Sequence, residues 1–248
     1  MPNLSAQSAA DLLRQLKAID ISVPLRTGGR TTEHCERWSI CRFLASYAEI
    51  ELIDYPLRIE KRERPDFLLQ LPSGDIGVEV TEAVPPDWAW VDARREKLNY
   101  ENLVFLHRFR PGKPQRSKEA INRIAQGTTW GNGWDGDAPE REWAEVMLHF
   151  SLKKAEKLMK PGFERFTADW LLIYDNWPLP AIDNPKAASY FMERLCTLQA
   201  PLPFERIFVE CKGSIWQFQV PKYMPQPIRD VWKTANHTLQ PAPSGGHG

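Results

Sequence analysis

The sequence predicts an α/β protein in which a central mixed β-sheet lies between helices on both faces, a three-layer α/β/α sandwich. Three observations predict this class. Two short apolar stretches within 66–82 are joined by the turn sequence Pro-Ser-Gly-Asp, which is too short for a parallel crossover and indicates a hairpin. A long helical pattern follows at 140–160, and after it strand and helix patterns alternate as far as residue 220.

The elements before the hairpin are expected to be two helices and one strand. Residues 5–19 have an amphipathic pattern, and so do residues 33–49, where Thr31 or Thr32 can cap the helix. A strand-like stretch at 50–59 then leads into the hairpin. The helix at 33–49 is therefore expected to be the first helix of the core.

The hairpin is followed by an insertion and then by the second half of the core. Residues 85–139 contain Pro85-Pro86 and a Gly-rich segment, so we expect a loop-rich insertion with helices near 93–105 and 117–125. The later elements are expected to be a helix at 140–160, a strand at 170–174, a helix at 187–198 and strands at 204–210 and 215–220. We expect a single domain over 1–240 and a disordered tail over 241–248, whose sequence is PAPSGGHG.

The charge of the chain is balanced, with 32 Lys and Arg against 32 Asp and Glu, which excludes a histone-like polycation and an acidic solvating chain. Balance does not exclude nucleic-acid binding, because the local distribution of charge decides it. Residues 92–123 contain nine basic and four acidic side chains, so the neutral total conceals a basic segment.

The cysteine pattern and the hydropathy pattern indicate the cellular compartment in which we expect the protein. The four cysteines are scattered and form no C-x-x-C pair, so we expect reduced thiols and no zinc site. No stretch of the sequence approaches the about 20 apolar residues that a membrane helix needs. We therefore expect a cytoplasmic protein without a membrane segment.

Two carboxylates in the hairpin are the strongest candidates for chemistry. Strand alternation places Glu79 on the same face as Thr81, opposite to the apolar side chains of the strand. Asp66, at the start of the neighbouring strand, can converge on Glu79, with the main-chain carbonyl of Val80 between them. Such an oxygen-rich site suits Mg²⁺ or Mn²⁺, which can polarise a phosphodiester and activate water. The alternatives are a turn aspartate and a solvent-facing glutamate.

This segment resembles the PD-(D/E)xK, or restriction-endonuclease-like, nuclease superfamily. Pro65-Asp66 matches the PD of its motif, and Glu79-Val80-Thr81 stands where (D/E)xK is expected. The resemblance covers the core, about 33–82 and 140–220, including the order of its elements. It implies a restriction-endonuclease-like fold and a metal-dependent endonuclease that hydrolyses phosphodiester bonds in DNA, with Asp66, Glu79 and Val80 as metal ligands.

The sequence departs from this motif at the lysine position, where it has Thr81. In parts of the superfamily another element supplies the lysine, and Lys154 is the candidate. It lies four residues after Phe150 and four before Leu158, on the apolar stripe of the long helix, where an ammonium is costly to bury without a partner. We expect Lys154 to reach the two carboxylates and act on the water or the phosphate; the alternative is a lysine whose head extends into solvent.

Other charged residues could complete the site. The superfamily often carries a glutamate on its first core helix, and Glu36 matches by position; a helix-end acid or salt-bridge partner is the alternative. Six basic residues are candidates for contacts with nucleic-acid phosphates, although surface pairs or a solvated loop would also explain them. They are Arg62, Arg64, Arg108, Arg110, Lys113 and Arg116.

Two other functions stay open at this stage. The fold could be retained without catalysis, as a nucleic-acid-binding or protein-interaction module in which Thr81 marks the loss of the lysine. The nuclease could also need a partner, either a second copy in a homodimer or another component of a defence system. DNA is the expected substrate of the leading hypothesis.

Overall fold

The fold described here is that of a computed structural model, which describes residues 1–98, 107–128 and 131–232. Within these ranges the protein is a mixed α/β structure with one eight-stranded mixed sheet and six α-helices. The predicted α/β class with a mixed sheet is therefore confirmed.

The eight strands follow one another across the sheet in chain order. They are β1 (Leu4–Ala6), β2 (Leu57–Lys61), β3 (Phe67–Leu71), β4 (Gly74–Ala83), β5 (Ala168–Asp175), β6 (Arg206–Cys211), β7 (Ser214–Gln219) and β8 (Lys222–Pro227). The pairs β4–β5 and β5–β6 are parallel, and all other pairs are antiparallel. Both parallel connections contain helices, as parallel pairing requires a long crossover.

The helices cover both faces of the sheet. They are α1 (Ala9–Lys17), α2 (Thr32–Tyr47), α3 (Pro86–Leu98), α4 (Lys118–Ala125), α5 (Ala138–Leu158) and α6 (Asn184–Cys196). One apolar cluster joins α1 and α2 to one face of the sheet, and a second joins the helices α3 to α6 to the other face. Two helical layers thus enclose the sheet.

Strand alternation decides which of the two clusters each side chain enters. Val78 and Val80 of β4 belong to the cluster with α2, whereas Leu171 and Ile173 of β5 belong to the cluster with α5. On the α2 side, the Phe43 ring packs edge-on against Phe208 of β6, with 4.7 Å between ring centroids. The even-numbered residues of β4 therefore face the layer that contains α2, and its odd-numbered residues face the layer that contains α5.

Most predicted elements are confirmed, with shifts of a few residues at their ends. The helix predicted at 33–49 is α2, capped by Thr31 in a capping box with His34. The helix predicted at 140–160 is α5, and the strand predicted at 170–174 is the centre of β5. The hairpin, the helix near 117–125 and the last three predicted elements correspond to β3–β4, α4, α6, β6 and β7.

Four predictions need correction. The strand predicted at 50–59 is β2, which begins only at Leu57, directly after Pro56. The helix predicted from residue 5 begins only at Ala9, because residues 4–6 form β1, whose partner β2 is more than fifty residues away. The helix near 93–105 begins earlier, at Pro86, a residue that is well suited to the first turn of a helix. Strand β8 was not predicted; its two prolines are tolerated because it lies at the edge of the sheet.

Some expectations fall on residues that the structure does not describe. The tail at 241–248 and the end of the helix predicted near 93–105 lie outside the described ranges. Among the described residues, no helix combines the length and the apolar character that crossing a membrane would require.

The aromatic packing between α2 and β6 gives a test of the fold. We expect Phe208→Ala to lower the free energy of unfolding by about 3–5 kcal/mol, because the ring is buried and its loss leaves a cavity. Met224→Ala, at a side chain that is 57% exposed on β8, is the control and should change it by about 0.5 kcal/mol or less. Urea unfolding of both variants measures this, and equal effects would contradict the packing described.

Candidate functional site

The candidate site lies where β3 ends beside β4. In the antiparallel pair, Phe67 stands opposite Val78, so the preceding residue, Asp66, stands beside Glu79 just beyond the end of β3. Side chains opposite one another in an antiparallel pair point to the same face. The two carboxylates therefore share the face of the sheet that α5 covers.

Backbone contacts hold Asp66 in place. Its Oδ2 accepts a hydrogen bond of 2.7 Å from the backbone N–H of Val80, and its carbonyl accepts one of 3.0 Å from Arg62. Pro65 packs over Gly77, where an added Cβ would lie 3.2 Å from the proline Cγ and 2.8 Å from the Phe166 ring. A glycine at 77 thus allows the chain before Asp66 to approach β4 closely.

Lys154 of α5 joins the two carboxylates. Its Nζ lies 2.6 Å from Glu79 Oε2 and 3.2 Å from Asp66 Oδ2. The side chains are largely buried, with 13% of Lys154, 14% of Asp66 and 8% of Glu79 exposed. The prediction that Lys154 reaches these carboxylates is confirmed, and the alternative of a lysine head in solvent is wrong.

Burial and charge act against each other in this group. Burial raises the pKa of Glu79, Asp66 adds to this rise, and the Lys154 ammonium partly offsets it. Burial alone would lower the pKa of Lys154, but the two carboxylates outweigh it and the pKa is raised. Lys154 therefore stays charged at neutral pH and compensates the negative charge of its neighbours.

The oxygens of this group fit a hard cation. Within the described part of the chain, no hydrogen bond is made to Asp66 Oδ1 or Glu79 Oε1, since Lys154 and Val80 use the other oxygens. The N–H and carbonyl of one strand residue point to the same side, so the Val80 carbonyl is directed to the side where Asp66 lies. Two carboxylates and one carbonyl suit Mg²⁺, which keeps several waters. No group of three or more His, Cys, Asp or Glu suited to a metal occurs in the described ranges.

Glu36 does not join the carboxylates among the contacts of the described residues. It lies on α2, across the sheet from Lys154, and forms an ion pair with Lys61 at the end of β2. This contact matches the salt-bridge alternative for Glu36. The side chain also lines a small cavity with Val80 and Thr81, so it stands close to the same end of β4 but on the other face.

The six basic candidates divide into two groups. Three form ion pairs within the protein, Arg62 with Glu164, Arg108 with Glu142 and Arg116 with Asp87. The other three are exposed and make no ion pair with any residue that the structure describes; they are Arg64, Arg110 and Lys113. A contact with nucleic acid stays a prediction for all six.

A second charged group was not predicted from the sequence. Glu82 of β4 lies on the α2 side, and its Oε1 accepts hydrogen bonds from Arg30 at 2.7 Å, Arg26 at 3.2 Å and Asn176 at 2.6 Å. Strand alternation alone could have indicated this group. Glu82 is an even-numbered residue like the buried Val78 and Val80, so its carboxylate faces the same layer and needs a cation. Its two arginine partners lie in a segment around Gly28-Gly29 that carries no motif, and Asn176 directly follows β5.

Comparisons of this chain with protein-family models, with curated proteins and with solved structures find no match.

The charge balance of the site predicts a pH-dependent stability. Lys154→Met should destabilise the protein by about 3 kcal/mol near neutral pH, because it leaves two buried carboxylates without their cation. Without the ammonium, the pKa of Glu79 lies still higher than in the native protein. A raised carboxyl pKa contributes stability that is present below the unfolded-state pKa and is lost as the pH rises through the folded-state pKa.

The destabilisation of Lys154→Met should therefore be smaller at about pH 5 than at about pH 7, as measured by urea unfolding at both values. Lys153→Met, at an exposed neighbour on α5, is the matched control and should change little at either pH. A loss of stability in Lys154→Met that is the same at both pH values would contradict the charge balance described.

Proposed function

We propose that this protein is a metal-dependent nuclease of the PD-(D/E)xK type that hydrolyses phosphodiester bonds in DNA. The observation that carries this proposal is the contact of Lys154 with both Asp66 and Glu79. A lysine beside two carboxylates is the chemical content of the motif, and here the lysine comes from α5 instead of position 81. The hairpin context and the two parallel strand pairs beside it support the same proposal.

Each side chain has a distinct part in the proposed reaction. Asp66, held by the Val80 N–H, and Glu79, held by Lys154, present their other oxygens as ligands in a fixed geometry. The Lys154 ammonium orients the attacking water and stabilises negative charge on the phosphate. Burial keeps bulk water from screening these charges.

A Mg²⁺ or Mn²⁺ ion, when bound by Asp66, Glu79 and the Val80 carbonyl, supplies Lewis-acid polarisation of the phosphodiester and a more acidic water. This ligand set is supported by the hydrogen bonds among the described residues, in which one oxygen of each carboxylate accepts none.

Cleavage assays test the proposed reaction. In the presence of Mg²⁺ or Mn²⁺, Asp66→Asn, Glu79→Gln and Lys154→Met should each lower the rate of DNA cleavage by about 100-fold or more, because each removes a group needed in the transition state. Glu156→Gln, at an exposed acid on the same helix, is the control and should cleave like the wild type. Unchanged cleavage by Asp66→Asn or Glu79→Gln would remove the proposal.

One observation favours the second candidate, a nuclease-like fold that binds without cleaving. The Lys154 ammonium already neutralises charge on both carboxylates, and a third acidic ligand is not found beside them in the described ranges. Calorimetric titration with Mn²⁺ separates the two candidates. The nuclease should bind Mn²⁺ in a manner that Glu79→Gln weakens by about tenfold or more, since a carboxylate ligand is lost. Binding that is absent, or indifferent to this change, favours the module.

A further inference from the structure

A basic cavity of about 570 Å³ lies between α3, α4 and the segment that precedes α2. It is lined by Arg26 and Arg30 from that segment, by Arg94 and Lys97 from α3, and by Lys118 from α4. Five cations without an acidic lining residue make this cavity suited to an anion. Its volume falls within the range of about 300–1,000 Å³ that is usual for pockets holding small organic ligands.

The five cations differ in their partners. Arg26 and Arg30 are held in place by Glu82, and Arg26 also contacts Asp92. Arg94, Lys97 and Lys118 make no ion pair with the residues that the structure describes. The cavity thus combines two fixed arginines with three cations that remain available to a ligand.

The cavity also has a flat aromatic wall. Trp90 of α3 lines it and is 52% exposed, although large aromatic side chains are usually buried. Ala89, Ala93 and Ile121 are its other apolar lining residues. An exposed indole beside several cations is suited to a ligand that has both a phosphate and a planar base, because bases stack on aromatic rings while Lys and Arg bind the backbone.

The basic cavity lies near the end of β4, the strand that carries Glu79. A second cavity, of about 190 Å³, shares Arg26 and Arg30 with it and is lined by Val80 and Thr81. These two residues directly follow Glu79 in β4. The two cavities therefore adjoin at Arg26 and Arg30, and the small one reaches the end of β4 on the face opposite to Glu79.

We propose that the basic cavity binds an unpaired nucleotide segment of the nucleic-acid substrate. The base stacks on Trp90 and the flanking phosphates contact Arg94, Lys97 and Lys118. The assignment of the ligand class rests on the proposed function, since it takes the ligand to be part of a nuclease substrate. A paired duplex does not fit this site, because its bases are covered by their neighbours and cannot stack on the indole without being flipped out.

Binding of a fluorescent single-stranded oligothymidylate of about 12 nucleotides, measured by anisotropy in EDTA so that metal-dependent cleavage is prevented, tests this proposal. We expect Trp90→Ala to weaken binding by about tenfold and Trp90→Phe to retain most of it, because a phenyl ring still stacks. Replacing Arg94, Lys97 and Lys118 together by alanine should reduce the slope of log affinity against log salt concentration by about 2. Each lost phosphate contact contributes about 0.7 to this slope.

Matched controls lie on the far edge strand of the sheet. Lys222→Ala and Met224→Ala change an exposed cation and an exposed apolar side chain on β8, and both should bind like the wild type. Circular dichroism and urea unfolding establish that each variant is folded. If Trp90→Ala is not, the triple replacement of Arg94, Lys97 and Lys118 provides the readout, and a salt dependence equal to that of the wild type would overturn the proposal.

The outcomes separate the cavity from the catalytic proposal. Single-strand binding that depends on Trp90 supports the cavity even if no DNA is cleaved with Mg²⁺ or Mn²⁺, an outcome that would remove only the nuclease. Two results would overturn the cavity proposal: binding that is unaffected by Trp90→Ala in a folded protein, and a duplex of the same length that binds more tightly than the single strand. The cleavage assay would then still decide the nuclease proposal.

Discussion

The interaction on which the arrangement of the site depends is the burial of one ammonium between two carboxylates. Asp66 and Glu79 lie side by side at the end of the hairpin, where their mutual repulsion and their loss of hydration would each oppose folding. Lys154 offsets part of this cost and, because it belongs to α5, it joins the long helix to the hairpin. The contact that stabilises the two buried carboxylates is therefore also the contact on which the proposed chemistry depends.

Strand β4 has charge on both of its faces near its carboxyl end. Glu79 points towards α5 and is compensated by Lys154, whereas Glu82 points towards α2 and is compensated by Arg26 and Arg30. Since the residues differ by three, an odd number, alternation sends them to opposite layers. Val80 and Thr81 lie between them and line the small cavity together with residues of α2.

The segment between β4 and α5, which contains α3 and α4, brings exposed aromatic and basic side chains to one surface. Helices α3 and α4 bring Trp90 and three basic side chains to one cavity, while the arginines beside them are fixed by a strand of the core. Two of the basic residues that follow α3 are instead neutralised within the protein, Arg108 by Glu142 and Arg116 by Asp87. Local charge counted along the chain therefore indicates a basic segment without showing which side chains remain available.

The sequence by itself determined the class of the fold, the hairpin, most helices and strands, and the three residues of the candidate site. These depend on local signals: alternation in β4, caps and periodicity in α2 and α5, and a lysine on an otherwise apolar stripe. It also left several matters open that only the tertiary structure decided. Strand β1 forms because β2 is available to pair with it, and Glu36 binds Lys61 because α2 lies on the opposite face from Lys154. The partners of Glu82 and the walls of the basic cavity come from segments far apart in the chain, and no local pattern encodes contacts that depend on how such segments pack in space.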